Sequence, residues 1–264
     1  MAAILFDLDG VLYQGERAID GAARAVAWSQ NRGIPHLFLT NTTSKPRGAL
    51  VEKLAALGIA AEPERLLTPP VAAVRWLSER ARGDVALYVP AATREEFAGL
   101  SVASPDAVDV GAVVVGDLGQ EWEFETLNTA FRQLMAPSRP PLVALGMTRY
   151  WQTPRGLQLD AGPFVAALSY AAGVDPVVMG KPAGEFFAAA LAIVGSPADR
   201  TIMIGDDIRG DIEGAQRAGL HTVLVRTGKF RAADLESGIV PDAVLDSVAD
   251  LPDWWRHHFA EDSG

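Results

Sequence analysis

Short apolar runs rich in β-branched residues alternate along this chain with segments whose apolar positions recur at helical spacing. Ala3 to Phe6 is followed by Ala22 to Arg32, then Ile34 to Leu39, then Pro46 to Leu57. Runs that are apolar at consecutive positions predict strands buried on both faces, as in a parallel sheet covered by helices. Gly33 and Gly58 fall where helices should stop, because the residue that ends a helix often needs positive φ. The rhythm returns near the C-terminus. Thr201 to Ile204 predicts a strand, Asp211 to Ala218 a helix closed by Gly219, and His221 to Val225 a further strand. This βαβα pattern predicts an α/β fold with a doubly wound, Rossmann-like parallel sheet.

Between these blocks lies a region with its own strands and helices. Val85 to Val89, Ala112 to Val115 and Leu142 to Leu145 read as strands, and Glu123 to Met135 and Phe164 to Ala172 as helices. Pro137-Ser138-Arg139-Pro140-Pro141 is a rigid loop within it. The expected organisation is a discontinuous core, residues 1–79 and 179–264, interrupted by a smaller inserted α/β domain at 80–178. Asp253 to His258 reads as a last helix packing on the core.

Composition narrows the function classes. With 264 residues, 49% of them hydrophobic, the chain can bury a sizeable core. A formal charge of -10 argues against nucleic acid as a partner, because phosphates along a duplex demand clustered Lys and Arg. The absence of cysteine excludes disulfide frameworks, thiolate zinc sites and thiol nucleophiles, and it fits the cytoplasm. Acidic Asp7 interrupts the only early apolar run, so neither a signal peptide nor a membrane span is expected.

Polar clusters stand where the apolar runs end, and they carry the candidate chemistry. Asp7-Leu8-Asp9-Gly10 puts two carboxylates after the first run. Asp7 there can attack phosphorus, and Asp9 can protonate a leaving oxygen and then activate water. A plain Asx turn is the alternative for this piece. A calcium loop is not, since Val11, Leu12 and Ala18 occupy the positions of its fifth ligand, its glycine and its bidentate glutamate. Thr40 and Asn41 offer a hydroxyl and an amide to phosphoryl oxygens, or a helix N-cap. Lys181, between Gly180 and Pro182, offers a cation ahead of a helix expected from Glu185, or an ordinary exposed lysine. Asp206 and Asp207 follow Gly205, with Asp211 opening the next segment. Adjacent carboxylates repel unless a cation lies among them, and Mg²⁺ suits oxygen donors that also bridge to phosphate. Asp206 is the better ligand; capping accounts equally for Asp211 and solvation for Asp207.

The order and spacing of Asp7-Leu-Asp-Gly, Leu39-Thr40-Asn41, Gly180-Lys181-Pro182 and Gly205-Asp206-Asp207 through Asp211 resemble the haloacid dehalogenase superfamily of phosphatases. The long insert, with Asp160-Ala-Gly-Pro-Phe164 near its end, resembles the subgroup with an α/β cap typified by nitrophenylphosphatase and NagD-like enzymes. Asn41-Thr-Thr-Ser44, Met203-Ile-Gly-Asp-Asp207 and Leu224-Val-Arg-Thr-Gly-Lys229 are most similar to the branch of phospholysine phosphohistidine inorganic pyrophosphate phosphatases. The resemblance implies Asp7 as nucleophile and metal ligand, and Asp9 as acid/base that lends its backbone carbonyl to Mg²⁺. It implies Thr40, Asn41 and Lys181 on the phosphate and Asp206 on the metal, with Asp207 and Asp211 behind the direct ligands. Asp207 stands where other branches carry Asn. A small phosphorylated metabolite is the implied substrate, with homodimerisation through the cap. Asp117 and Arg149-Tyr150-Trp151 are candidates for reaching over the site. The rival readings are a receiver-type phospho-acceptor and a scaffold that keeps the fold without turnover.

Overall fold

The computed structural model describes residues 2–153 and 155–259, which fall into two compact units. One takes Met1–Thr40, Arg47–Leu67 and Phe187–Gly264; the other takes Asn41–Pro46 and Thr68–Phe186. These divisions differ from the expected ones at 79/80 and 178/179, and Met1 and residues 260–264 of the expected core lie outside the described residues. The helix Pro69–Arg80 belongs with the second unit, because it packs on the short turn Glu95–Phe97, whose Phe97 is fully buried.

The first unit is built on six parallel strands. Ala3–Asp7 lies between Thr201–Gly205 and His36–Leu39; His221–Val225 and then Ala243–Leu245 continue beyond the former, and Leu66–Leu67 beyond the latter. Numbered along the chain, the strands run 3-2-1-4-5-6 across the sheet, so the order reverses between Ala3–Asp7 and Thr201–Gly205. That reversal opens a crevice at the carboxyl ends of the two central strands.

Both faces of the sheet are covered. Ile4, Phe6, Phe38, Ile202 and Ile204 share one core with Val26, Leu54 and the half-buried Trp254 and Trp255 of the last helix, Leu251–Phe259. The interleaved Leu5, Leu37, Leu39 and Met203 are equally buried. Continuous apolar runs are thus required by two buried faces, and each buried Phe contributes roughly 1.5–3 kcal/mol by leaving water.

Two departures from the sequence pattern matter later. The expected helix over Asp211 to Ala218 begins as a wide turn, Ile208–Glu213, in which the N–H groups of Asp211 and Ile212 both donate to the Asp207 carbonyl, at 2.9 and 3.2 Å. Only Gly214–Arg217 is α-helical. The helix expected from Phe164 starts at Ala161, because Asp160 caps it by accepting from the Ala161 N–H at 2.7 Å.

The second unit carries a four-stranded parallel sheet in the order Val177–Val178, Leu142–Ala144, Ala112–Val115, Val85–Tyr88. The helices Phe124–Leu134 and Ala161–Ala172 bury Ala130, Leu134, Val165 and Leu168 against it. Trp122 stacks on Tyr88 and Phe164, with ring centroids 5.8 and 4.9 Å away. Buried Gln133 accepts from the Tyr88 hydroxyl and donates to the Ala107 carbonyl, both at 2.8 Å. Burial pushes the Tyr88 hydroxyl pKa up to about 12. A hairpin, Tyr150–Thr153 against Gly156–Leu159, completes the unit.

His36 gives the first unit an acid-sensitive point. Its ring lies edge-on to Phe6 and Phe38, at 6.4 and 5.5 Å, and its pKa is lowered by burial first and also by Arg65, against a hydrogen bond to the Ile34 carbonyl that raises it. A folded-state pKa below the unfolded value means that stability present above the unfolded histidine pKa, about 6.5, drains away as pH falls toward the folded one. Urea unfolding of the wild type should therefore lose more stability between pH 7 and pH 5 than that of His36→Phe.

Candidate active site

Parallel strands deliver their last residues to one edge of the sheet, and the reversed strand order brings two such ends side by side. Asp7 is the last residue of its strand, and Asp206 follows Gly205, the last of the neighbouring one. The wide turn brings Asp211 back toward them. Asp7, Asp206 and Asp211 are 6%, 0% and 1% exposed, and one carboxylate oxygen from each lies within 4.8 Å of the other two.

Backbone groups hold this set. Asp211 Oδ2 accepts from the N–H groups of Asp206 and Asp207, each at 3.1 Å. Asp206 Oδ2 accepts from the Lys229 N–H at 2.7 Å. The loop carrying Lys229 is itself tied to the first motif, since Thr227 Oγ1 donates to the Gly10 carbonyl at 2.5 Å. Close approach explains three glycines. A Cβ on Gly10 or on Gly228 would lie 1.9 or 2.0 Å from Asp206 Oδ2, and one on Gly205 would lie 2.2 Å from Asp211 Cβ. No side chain fits at those separations.

Asp207 has a different task. Its Oδ1 accepts from the N–H groups of Arg209 and Gly210, at 3.0 and 2.9 Å, capping the wide turn, and its Oδ2 receives Lys229 Nζ at 3.3 Å. Burial works to raise the Asp207 pKa, but the Gly210 N–H, the Lys229 charge and the Arg209 N–H outweigh it and hold the carboxyl below its usual value. For Lys229, burial works against the charged form; Asp207, then Asp206, Asp211 and Asp7, overcome it and raise the pKa. The ammonium thus senses all four carboxylates.

The residues expected at the site fall into two groups. Asp7, Asp206 and Asp211 come together in the first unit, where Thr40 is also buried at the end of its strand and Asp207 adjoins; the Asp9 side chain there is exposed. Asn41 and Lys181 come together in the second: Asn41 Nδ2 donates to the Lys181 carbonyl at 2.9 Å, and the Lys181 N–H donates to Asn41 Oδ1 at 2.8 Å. A Cβ on Gly180 would press within 3.1 Å of Asn41 Oδ1, which accounts for glycine before the lysine. These two residues, with Thr43, Met147, Thr148 and Asp160, line a cavity of about 250 Å³. Asp117 is half-buried in the same unit, its pKa raised by burial and then by Asp160. Tyr150 and Trp151, whose commonest role is core packing, are 49% and 46% exposed on the hairpin.

The set of three side-chain carboxylates contains Asp211, which the resemblance puts behind the direct ligands; Asp9, expected to lend its backbone carbonyl, adds no side chain to it. The reason is the wide turn, which a helical reading from Asp211 could not foresee. Sequence reasoning also passed over Gly228 and Lys229 as site residues; the available signal was a Gly-Lys pair just past a strand end, the same position the other motifs occupy. Three buried carboxylates offering hard oxygens, one from the first strand end and two from the connection after Gly205, fit a small divalent ion of the Mg²⁺ type.

A doubly wound sheet with acidic loops at its switch point defines a class of α/β enzymes, and matches to known proteins fix which one. The haloacid dehalogenase-like hydrolase model matches residues 4–102, and a HAD-hydrolase-like model matches residues 178–251. The chain belongs to the haloacid dehalogenase-like hydrolases. It is 37% identical over 260 residues to human phospholysine phosphohistidine inorganic pyrophosphate phosphatase, covering 97% of this chain and 94% of that protein. It is 36% identical over 236 residues to human haloacid dehalogenase-like hydrolase domain-containing protein 2, covering 89% and 88%. Among solved structures it resembles NagD from E. coli K-12, with TM-score 0.83, 26% identity and 95% and 98% coverage. The p-nitrophenyl phosphatase from Archaeoglobus fulgidus gives TM-score 0.86 at 26% identity, covering 96% and 98%.

The glycine cradle makes a prediction. Gly58 also has positive φ but nothing within 4 Å of its missing Cβ, so Gly58→Ala should cost only the strain of a left-handed residue, about 1–2 kcal/mol. Gly228→Ala carries the same strain plus the clash with Asp206, and urea denaturation should show a larger loss. Mg²⁺ should raise the Tm of the wild type and leave that of Gly228→Ala unchanged.

Proposed function

We propose that this hydrolase is a Mg²⁺-dependent phosphatase that cleaves a small phosphorylated metabolite through an aspartyl-phosphate on Asp7. The observation that carries the reading is the convergence of Asp7, Asp206 and Asp211 at the strand-order reversal. In this reading Asp7, Asp206 and Asp211 hold the ion, with the Asp9 carbonyl as a further ligand. The bound ion supplies the positive charge that lets carboxylates and a phosphoryl group share one place. Thr40, Asn41 and Lys181 take the phosphoryl oxygens, and the inserted middle unit serves as the cap that selects the rest of the substrate.

The chain's own groups then account for the reaction. An Asp7 oxygen attacks phosphorus; a new P–O bond forms, the ester P–O bond breaks, and the leaving oxygen takes its electron pair and a proton from Asp9. Asp9 next accepts a proton from water, whose oxygen attacks the same phosphorus. The bond to Asp7 breaks and inorganic phosphate leaves. Asp9 is suited to both proton transfers because its side chain is exposed and outside the carboxylate triplet. Kinship with hydrolases, and with relatives named as phosphatases, disfavours the receiver-type acceptor and the inert scaffold.

The test is steady release of phosphate from p-nitrophenyl phosphate with Mg²⁺, and its loss with EDTA. Asp7→Asn should reduce turnover by at least three orders of magnitude while leaving Tm within a few degrees; wild-type rates in that variant would remove Asp7 from its role. Relatives named for phospholysine, phosphohistidine and pyrophosphate place P–N and P–O–P compounds in the same substrate panel as esters, compared by kcat/KM.

Assembly belongs to the same reading. On one face of the hairpin Leu159 stands opposite Tyr150, with Leu157 two residues before it, and Leu157 and Leu159 are 69% and 56% exposed. An apolar sheet face of this kind suits a second copy of the chain, so the protein is read as a homodimer through this unit. Sedimentation should give a dimer for the wild type and a monomer for Leu157→Lys/Leu159→Lys.

A further inference from the structure

Lys229 has no part in the reaction just set out, yet its ammonium stands against Asp207, the neighbour in sequence of an ion-binding carboxylate. Two separate contacts fix it there. Its backbone N–H holds Asp206 Oδ2 at 2.7 Å, and its Nζ meets Asp207 Oδ2 at 3.3 Å. The chain around it leaves little freedom, because Gly228 is wedged against Asp206 and Gly10 while Thr227 bonds the Gly10 carbonyl. The lysine side chain is 67% exposed, so its ammonium is held by the contact with Asp207 and not by packing.

We propose that Lys229 is a positioning residue, the site's internal counter-ion, which keeps Asp206, Asp207 and their neighbours assembled without a metal and opposes the divalent ion electrostatically when one binds. This inference rests on the metal assignment above. Its physical basis is that one positive charge serves two states in opposite ways. Against gathered carboxylates alone the ammonium is attractive; against a set already neutralised by a dication it is repulsive. The elevated lysine pKa, drawn up by Asp207, Asp206, Asp211 and Asp7, agrees with that placement. Because the Asp206 contact comes from the backbone, removing the ammonium leaves the carboxylate held.

The variants are Lys229→Met, which keeps the stem and the N–H but not the charge, and Lys229→Arg, which keeps the charge. Mg²⁺ binding is measured by calorimetry without substrate, and Tm is measured with EDTA and with saturating Mg²⁺. For charges in a partly exposed site, Lys229→Met should bind Mg²⁺ roughly three- to tenfold more tightly. It should melt below wild type in EDTA, and the gap should shrink or reverse in Mg²⁺, as linkage requires of a variant that binds the ion more tightly. Lys229→Arg should restore wild-type affinity. A lysine that merely braced the loop would give the opposite result, weaker Mg²⁺ binding in Lys229→Met, and that or an unchanged affinity overturns the proposal. If the wild type binds no Mg²⁺, the metal assignment falls and this inference with it; if it binds and Lys229→Met binds no more tightly, only the inference falls.

Discussion

Mutual repulsion among buried carboxylates is the constraint around which the first unit is organised. Three of them lie with oxygens inside 4.8 Å of one another and almost no exposure to water. At that separation each ionised pair opposes folding by about 3–4 kcal/mol at an effective dielectric near 20. That is comparable with what one or two fully buried core side chains return. The arrangement persists because the rest of the unit is stiff and the local donors are well aimed. Asp211 is met by two backbone N–H groups and Asp206 by one, and charge-assisted bonds of this kind are the stronger sort.

Topology explains why the cost falls here. In a parallel sheet every strand ends at the same edge, so loops far apart in sequence become neighbours. The reversal of strand order then parts two adjacent connections and leaves a crevice between them. Asp7 ends one of the two strands that flank that crevice, and Asp206 directly follows the other. Their register, Phe6 beside Ile204, sets their separation before any side-chain contact is made. The hydrophobic faces are therefore a positioning device: Phe6, Phe38 and Ile204 keep the strands from sliding, and a slip would carry the carboxylates apart.

Much of this was legible in the residues. Consecutive apolar runs identified the four longer strands of the first unit, since a strand buried on both faces has no polar alternation to hide it. The edge strands Leu66–Leu67 and Ala243–Leu245 were not legible, because two or three residues at a sheet margin make no periodic signal. Of the candidate site residues, Asp7 and Asp206 could be read because each follows a visible strand. Asp211 could be seen but not placed: helical spacing from Asp211 to Ala218 says nothing of a wide turn that folds its carboxylate back onto the N–H groups of Asp206 and Asp207. Tyr150 and Trp151, candidates for reaching over the site, stand 49% and 46% exposed on a hairpin, although aromatic pairs are more often buried.

Gly228 and Lys229 show the general limit most clearly. Their place just past a strand end marks a loop near the site, but it does not say that Asp206 is what they meet. The requirement comes from a loop more than two hundred residues removed from Gly10, whose carbonyl Thr227 grips. Once that grip exists, the space beside Asp206 is already divided between two glycines, and any Cβ at either place would displace the carboxylate. The residue after Gly228 then has its N–H directed at Asp206 by the backbone alone. Only its side chain remains open to choice, and a lysine there meets Asp207, a carboxylate that the metal set leaves aside. The backbone thus fixes the acidic cluster, and the charge balance around it is adjusted from a single neighbouring position.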